Sequence, residues 1–166
     1  LALLHDHAIP LVGSSWQAHQ PPLYYLLTLP IAAFQALFFS PSHHISLLML
    51  NVQHLSIFLS LLSLFLSLEI VLLLPFSLRI RSFLFAFLAL FPGHLFFASQ
   101  VNNDVLLFTL SLYWLLLLLR ALHHPLSVRW CVGIGTLLSC AFLTKSNALP
   151  LLFLTLLFLF VRRSSL

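Results

Sequence analysis

The chain carries its leucines and phenylalanines in long runs with almost no charge inside them, and this leaves few folds open. LSIFLSLLSLFLSL at 55–68 and LFTLSLYWLLLLL at 107–119 are examples. Backbone N–H and C=O groups surrounded by hydrocarbon must be satisfied within the protein, and a helix does this inside one segment. Of 166 residues, 61% are hydrophobic and 6% charged, and the mean hydropathy is +1.12. A soluble core does not need that much apolar surface. The expected fold is all-α: a polytopic transmembrane helix bundle forming a single module over 1–166, with no separate soluble domain.

The walk along the chain gives the boundaries. Residues 1–20 mix His, Asp, Trp and Gly and read as an external loop. Residues 21–39 are apolar but hold Pro21, Pro22 and Pro30; they form either a short span or a helix lying at the interface. About five transmembrane helices are expected over 45–161, at 45–74, 82–99, 104–119, 130–143 and 149–161, with a kink at Pro92–Gly93. Pro75 ends the first. His43–His44 and His123–His124 read as loop residues, and His5-Asp6-His7 is too short to define a metal site. Cys131 and Cys140 have no metal-ligand spacing and read as small packing residues. The chain opens on Leu1 rather than Met, with no signal segment, and reads as a piece of a longer protein.

Orientation follows from the arginines. The net charge of +4 does not point to nucleic acid, because the arginines flank spans, and flanking cations set topology. Alternating the spans puts Arg79, Arg81, Arg120, Arg129, Arg162 and Arg163 on one side, expected to be cytoplasmic. QVNND (100–104) and TKSN (144–147) then lie on the other. If 21–39 lies at the interface, HQPP (19–22) joins them, and its prolines favour that arrangement. Scarce polar groups gathered at one face of a membrane bundle point to chemistry or transport there.

Each candidate has two readings. Asp104 opens a span, where the helix dipole favours an anion and Asn102 or Asn103 can cap; it is a cap-side acid, or a ligand for a metal or substrate. Lys145 stands against the charge rule. It either snorkels to headgroups or contacts a phosphate. His19 and Gln20 precede a rigid Pro-Pro turn, as a helix start or as a metal ligand and an amide contact. Glu69 either pairs with Arg79 or Arg81 or stays protonated.

HQPPLYYLL, then FPGHLFFASQVNNDVLLF, then CAFLTKSNALPLL, in that order, resemble segments of the C-type integral-membrane glycosyltransferases (GT-C superfamily), the aminoarabinose transferase-like and protein mannosyltransferase-like members. The resemblance runs from about Ile9 to Arg163. It implies transfer of a sugar from a polyprenyl-phosphate donor to an acceptor hydroxyl on a lipid, glycan or protein, at the non-cytoplasmic face of a plasma, inner or endoplasmic reticulum membrane. In the family the catalytic base is a carboxylate just after the first span. That stretch would lie upstream of Leu1, so no catalytic residue is assigned and the chain alone is expected to be inactive. The resemblance places substrate contacts at His19, Gln20, Asn103 and Lys145, and a divalent metal at Asp104 and His19. His19 and Gln20 stand where relatives often carry a glutamate, and Gln53-His54 where many carry an arginine. The alternative is a transporter or lipid-handling subunit without chemistry; its marks, inverted repeats or several mid-span acids, are not seen, Glu69 being the one mid-span acid.

Overall fold

The computed structural model describes residues 23–38, 44–124 and 127–163. They form helices joined by short turns, with no strand among the described residues. In order these are α1 (Leu23–Phe38), α2 (His44–Leu73), α3 (Leu78–Ala89), α4 (Pro92–Ser99), α5 (Asp104–His123), α6 (Val128–Thr144), a 3-10 turn (Ser146–Ala148) and α7 (Leu149–Arg163).

Two stretches are long and apolar enough to cross a membrane: Met49–Leu73, 25 residues with mean hydropathy 2.4, and Asn103–Leu122, 20 residues with mean hydropathy 2.1. Only 44% and 39% of their most apolar windows are buried. A core helix of a soluble protein is mostly covered; here Phe58, Leu61 and Phe65 of α2 remain exposed. Exposed phenylalanines and leucines continue on α3, α4 and α7. α6 has 17 residues and α7 has 15, at and below the roughly 17-residue lower limit for an unaided span.

The stretch at 82–99 is two helices rather than one kinked span. α3 ends at Ala89, and the Leu90 N–H donates to the Ala86 carbonyl at 3.0 Å. Pro92 then opens α4. A proline cannot donate to the preceding turn, and it drives the residue before it out of the helical region, so the break falls at Phe91. Arg79 and Arg81 are not in a loop but within the first turn of α3. His44 opens α2 and His123 closes α5, so both belong to helices. Cys131 is exposed and Cys140 half-buried; both are free thiols.

α2 and α5 form the centre, packed through Val52, Leu59, Leu66 and Ile70 against Val105, Leu106 and Leu116, and α2 also buries a row of small polar side chains. Ser56, Ser60, Ser63 and Ser67 recur at spacings of four, three and four, which places them on one helix face, and all four are buried. Small residues at such a face bring helices close in an apolar surrounding. The Thr109 hydroxyl reaches across from α5 to the Leu59 carbonyl at 3.1 Å, and Tyr24 of α1 shares a hydrogen bond with Ser56 at 3.2 Å. Tyr24, Val52, Leu59, Val105 and Leu106 make one buried cluster; Trp114, Leu118 and Ile134 join α5 to α6 in another. The Trp114 indole N–H donates to Thr155 of α7 at 3.0 Å.

Candidate functional site

α5 and α6 follow each other as antiparallel neighbours, so the start of one lies beside the end of the other. Four residues fasten these ends. The Asn103 amide is 2% exposed and its Nδ2 donates to the Thr144 carbonyl at 3.2 Å. That carbonyl is one of the last in α6, without an intrahelical partner, and Asn103 satisfies it. Thr144 is fully buried. Next to this contact, Lys145 Nζ meets Asp104 Oδ1 at 2.5 Å.

The backbone explains how the lysine gets there. Lys145 leaves the helix in extended conformation, φ −163° and ψ 138°, while its own N–H still donates to Ala141 O. This turn swings the side chain toward α5. Asp104 is held from its other side by Asn102, whose Nδ2 donates to Asp104 Oδ2 at 2.9 Å and whose Oδ1 accepts from the Asp104 N–H at 3.2 Å. Asn102 therefore supplies the acceptor at the start of α5. Asn103, the residue at the cap position, has helical backbone and makes no side-chain cap bond.

Both charges suit the ends they occupy. A carboxylate at a helix N-terminus and an ammonium at a C-terminus are each favoured by the helix dipole. The side chains are 27% and 23% exposed, so the pair is neither dry nor fully solvated. Gln53 of α2 extends the polar face, its Nε2 donating to the Ser99 carbonyl at 3.4 Å.

The opposite end has its own fastening. Arg120 Nη2 lies 2.7 Å from Glu69 Oε2. Glu69 thus pairs with Arg120 of α5 and not with Arg79 or Arg81: its helix neighbour across the packed interface is closer than the arginines beyond the Pro75 turn. Arg162 of α7 donates to the Ala121 and His124 carbonyls. Sixteen residues of α5 separate Asp104 from Arg120, about 24 Å along the axis, so the two ion pairs bracket the apolar middle.

Of the residues singled out in the sequence, Asn103, Asp104 and Lys145 come together. His19 and Gln20 lie outside the described residues. Asn103 faces the Thr144 carbonyl and acts as a strut. Asp104 and Lys145, given separate roles by the sequence, are partners. The signal was present: an acid opening one helix and a base closing the next, antiparallel helix are expected to meet. Asn102 and Gln53 also belong to this face.

The donor set of Asp104 suits an ammonium partner and not a divalent ion. One carboxylate oxygen is taken by Lys145 and the other by an amide. Among the described residues no three His, Cys, Asp or Glu side chains gather. Comparisons with known protein families, with curated proteins and with solved structures find no match.

Proposed function

We propose that the chain carries the lipid-phosphate site of an integral-membrane glycosyltransferase, a polytopic bundle with α1 at the interface and the site on the non-cytoplasmic face. The observation that carries this reading is the Asp104–Lys145 pair, half-buried at the end of the bundle away from the arginines. An ammonium has three donors; one is used by Asp104, and among the described residues the other two meet no acceptor. Two donors on a held, partly desolvated cation are what a polyprenyl-phosphate oxygen needs as it takes up the electron pair of the breaking sugar–phosphate bond. The attacking group is an acceptor hydroxyl, whose proton must go to a base. Both Asp104 oxygens already accept hydrogen bonds, so neither faces that hydroxyl unoccupied. The role of Asp104 is to position Lys145. The reading is supported further by the ordered sequence segments and the exposed apolar surface of α2 and α5.

The test is equilibrium binding of a short-chain polyprenyl phosphate to the detergent-solubilised chain. Lys145→Gln is expected to weaken binding at least about tenfold, the value of one charge-assisted hydrogen bond. Lys145→Arg keeps part of the affinity, because charge survives while a planar fork replaces a point donor. Equal affinity of the parent and the Gln variant removes Lys145 from the site.

One observation favours a second reading. The ion pair satisfies both helix ends at once, which is enough for a static clasp in a lipid-handling subunit without chemistry. That reading expects Lys145→Gln to lower stability and leave phosphate binding unchanged.

A further inference from the structure

Between α5 and α7 runs an open apolar groove of about 550 Å³, which the site above does not use. Trp114, Leu118, Leu157 and Phe158 wall it, and Arg162 stands at one end. The Trp114 N–H is taken by Thr155, so the indole presents hydrocarbon. The Ala121 and His124 carbonyls fix the Arg162 guanidinium at the groove mouth. From Trp114 to Leu122 the groove follows eight residues of α5, about 12 Å. That fits within one leaflet, half of a hydrocarbon core about 30 Å thick. It stops about 15 Å short of Asp104, so it belongs to the arginine-bearing face.

We propose that this groove holds one acyl chain of an acidic phospholipid of the arginine-side leaflet, with the phosphate against Arg162. An apolar slot of leaflet depth with a cation at its mouth matches a lipid with a chain below and an anion above. Arg79 and Arg81 in the first turn of α3 and Arg129 in the first turn of α6 are further basic side chains, of the kind that attract anionic headgroups beside a membrane. The inference rests on the membrane placement proposed above and not on glycosyl transfer.

The experiment uses the chain in mixed micelles, with Trp16 and Trp130 replaced by phenylalanine so that Trp114 is the reporter. Dibrominated phosphatidylglycerol should quench Trp114 at about fivefold lower lipid fraction than dibrominated phosphatidylcholine, the value of one basic side chain against an anionic lipid. Arg162→Gln should erase that preference and Arg162→Lys should keep part of it. If Arg162→Gln loses helical circular dichroism, Leu157→Phe decides instead: filling the groove at this exposed position should weaken quenching by both lipids with the fold intact. Equal quenching by the two lipids in the parent overturns the proposal, as does quenching untouched by Leu157→Phe. Failure of the membrane placement itself is seen separately, as release of the chain from membranes by alkaline carbonate.

Discussion

Replacing Asp104 by Asn and Lys145 by Gln, singly and together, measures what the α5–α6 fastening contributes. Asp104→Asn replaces one acceptor oxygen by a donor, and Lys145→Gln shortens the reach by one atom, so each removes the charge and also changes the hydrogen bonds that the paired groups can make. Exposed ion pairs couple by about 0–1 kcal/mol; breaking a buried one costs about 3–5 kcal/mol. With side chains 27% and 23% exposed, this pair falls between those limits. Its carboxylate has a second donor in Asn102, which softens loss of the lysine. A coupling energy of about 1–2 kcal/mol is expected on these grounds. Each single variant should also lose a few tenths of a kcal/mol from its helix dipole. The assay is reversible unfolding of the chain in mixed micelles, followed by helical circular dichroism across the four members of the cycle. The double variant should then be less destabilised than the sum of the singles by that coupling. Independent sites add within about 0.3–0.5 kcal/mol, so additivity to that precision would refute the pairing.

The opposite ion pair is weaker: with side chains 41% and 33% exposed, Glu69→Gln should cost no more than about 1 kcal/mol in the same unfolding assay. Ser63→Leu forces two further heavy atoms into the fully buried α2 face and should destabilise by about 1–3 kcal/mol, against a near-neutral Ser63→Ala. Single-cysteine variants at Ser77 and Ser99, made after replacing Cys131 and Cys140, should label from opposite sides of sealed vesicles, because Ser99 meets Gln53 near the start of α2 while Ser77 lies beyond its end. Labelling of both from one side would sink the proposed topology.

Much of the helical architecture was legible because hydrophobic length is a strong signal. A helix satisfies the backbone of apolar runs as long as those of α2 and α5 within one segment. The break at 89–92 was visible as Pro92 but read as a kink; whether a proline bends or ends a helix depends on packing of the flanking turns, which sequence does not carry. The arginines at 79 and 81 were read as loop residues because charge marks a membrane edge, yet a helix can begin on the far side of that edge. At the site, Asp104 and Lys145 stand out in the sequence as scarce charges. Their pairing depends on α5 and α6 being adjacent and antiparallel, a tertiary fact that short connections favour but do not state. The serine row at 56, 60, 63 and 67 is also legible as a periodicity within a leucine-rich run. For Glu69 the sequence offers Arg79 or Arg81 nearby, or a protonated state; the partner in space is Arg120.

Photocrosslinking tests the central claim most directly. A polyprenyl phosphate bearing a diazirine beside its phosphate would be irradiated with the chain in membranes, and the attachment points mapped by mass spectrometry. The account predicts labels at 99–104 and 144–148, competed away by unlabelled polyprenyl phosphate and lost in Lys145→Gln. Labels confined to the arginine end, around 120–124 and Arg162, or a pattern indifferent to competitor, would contradict it.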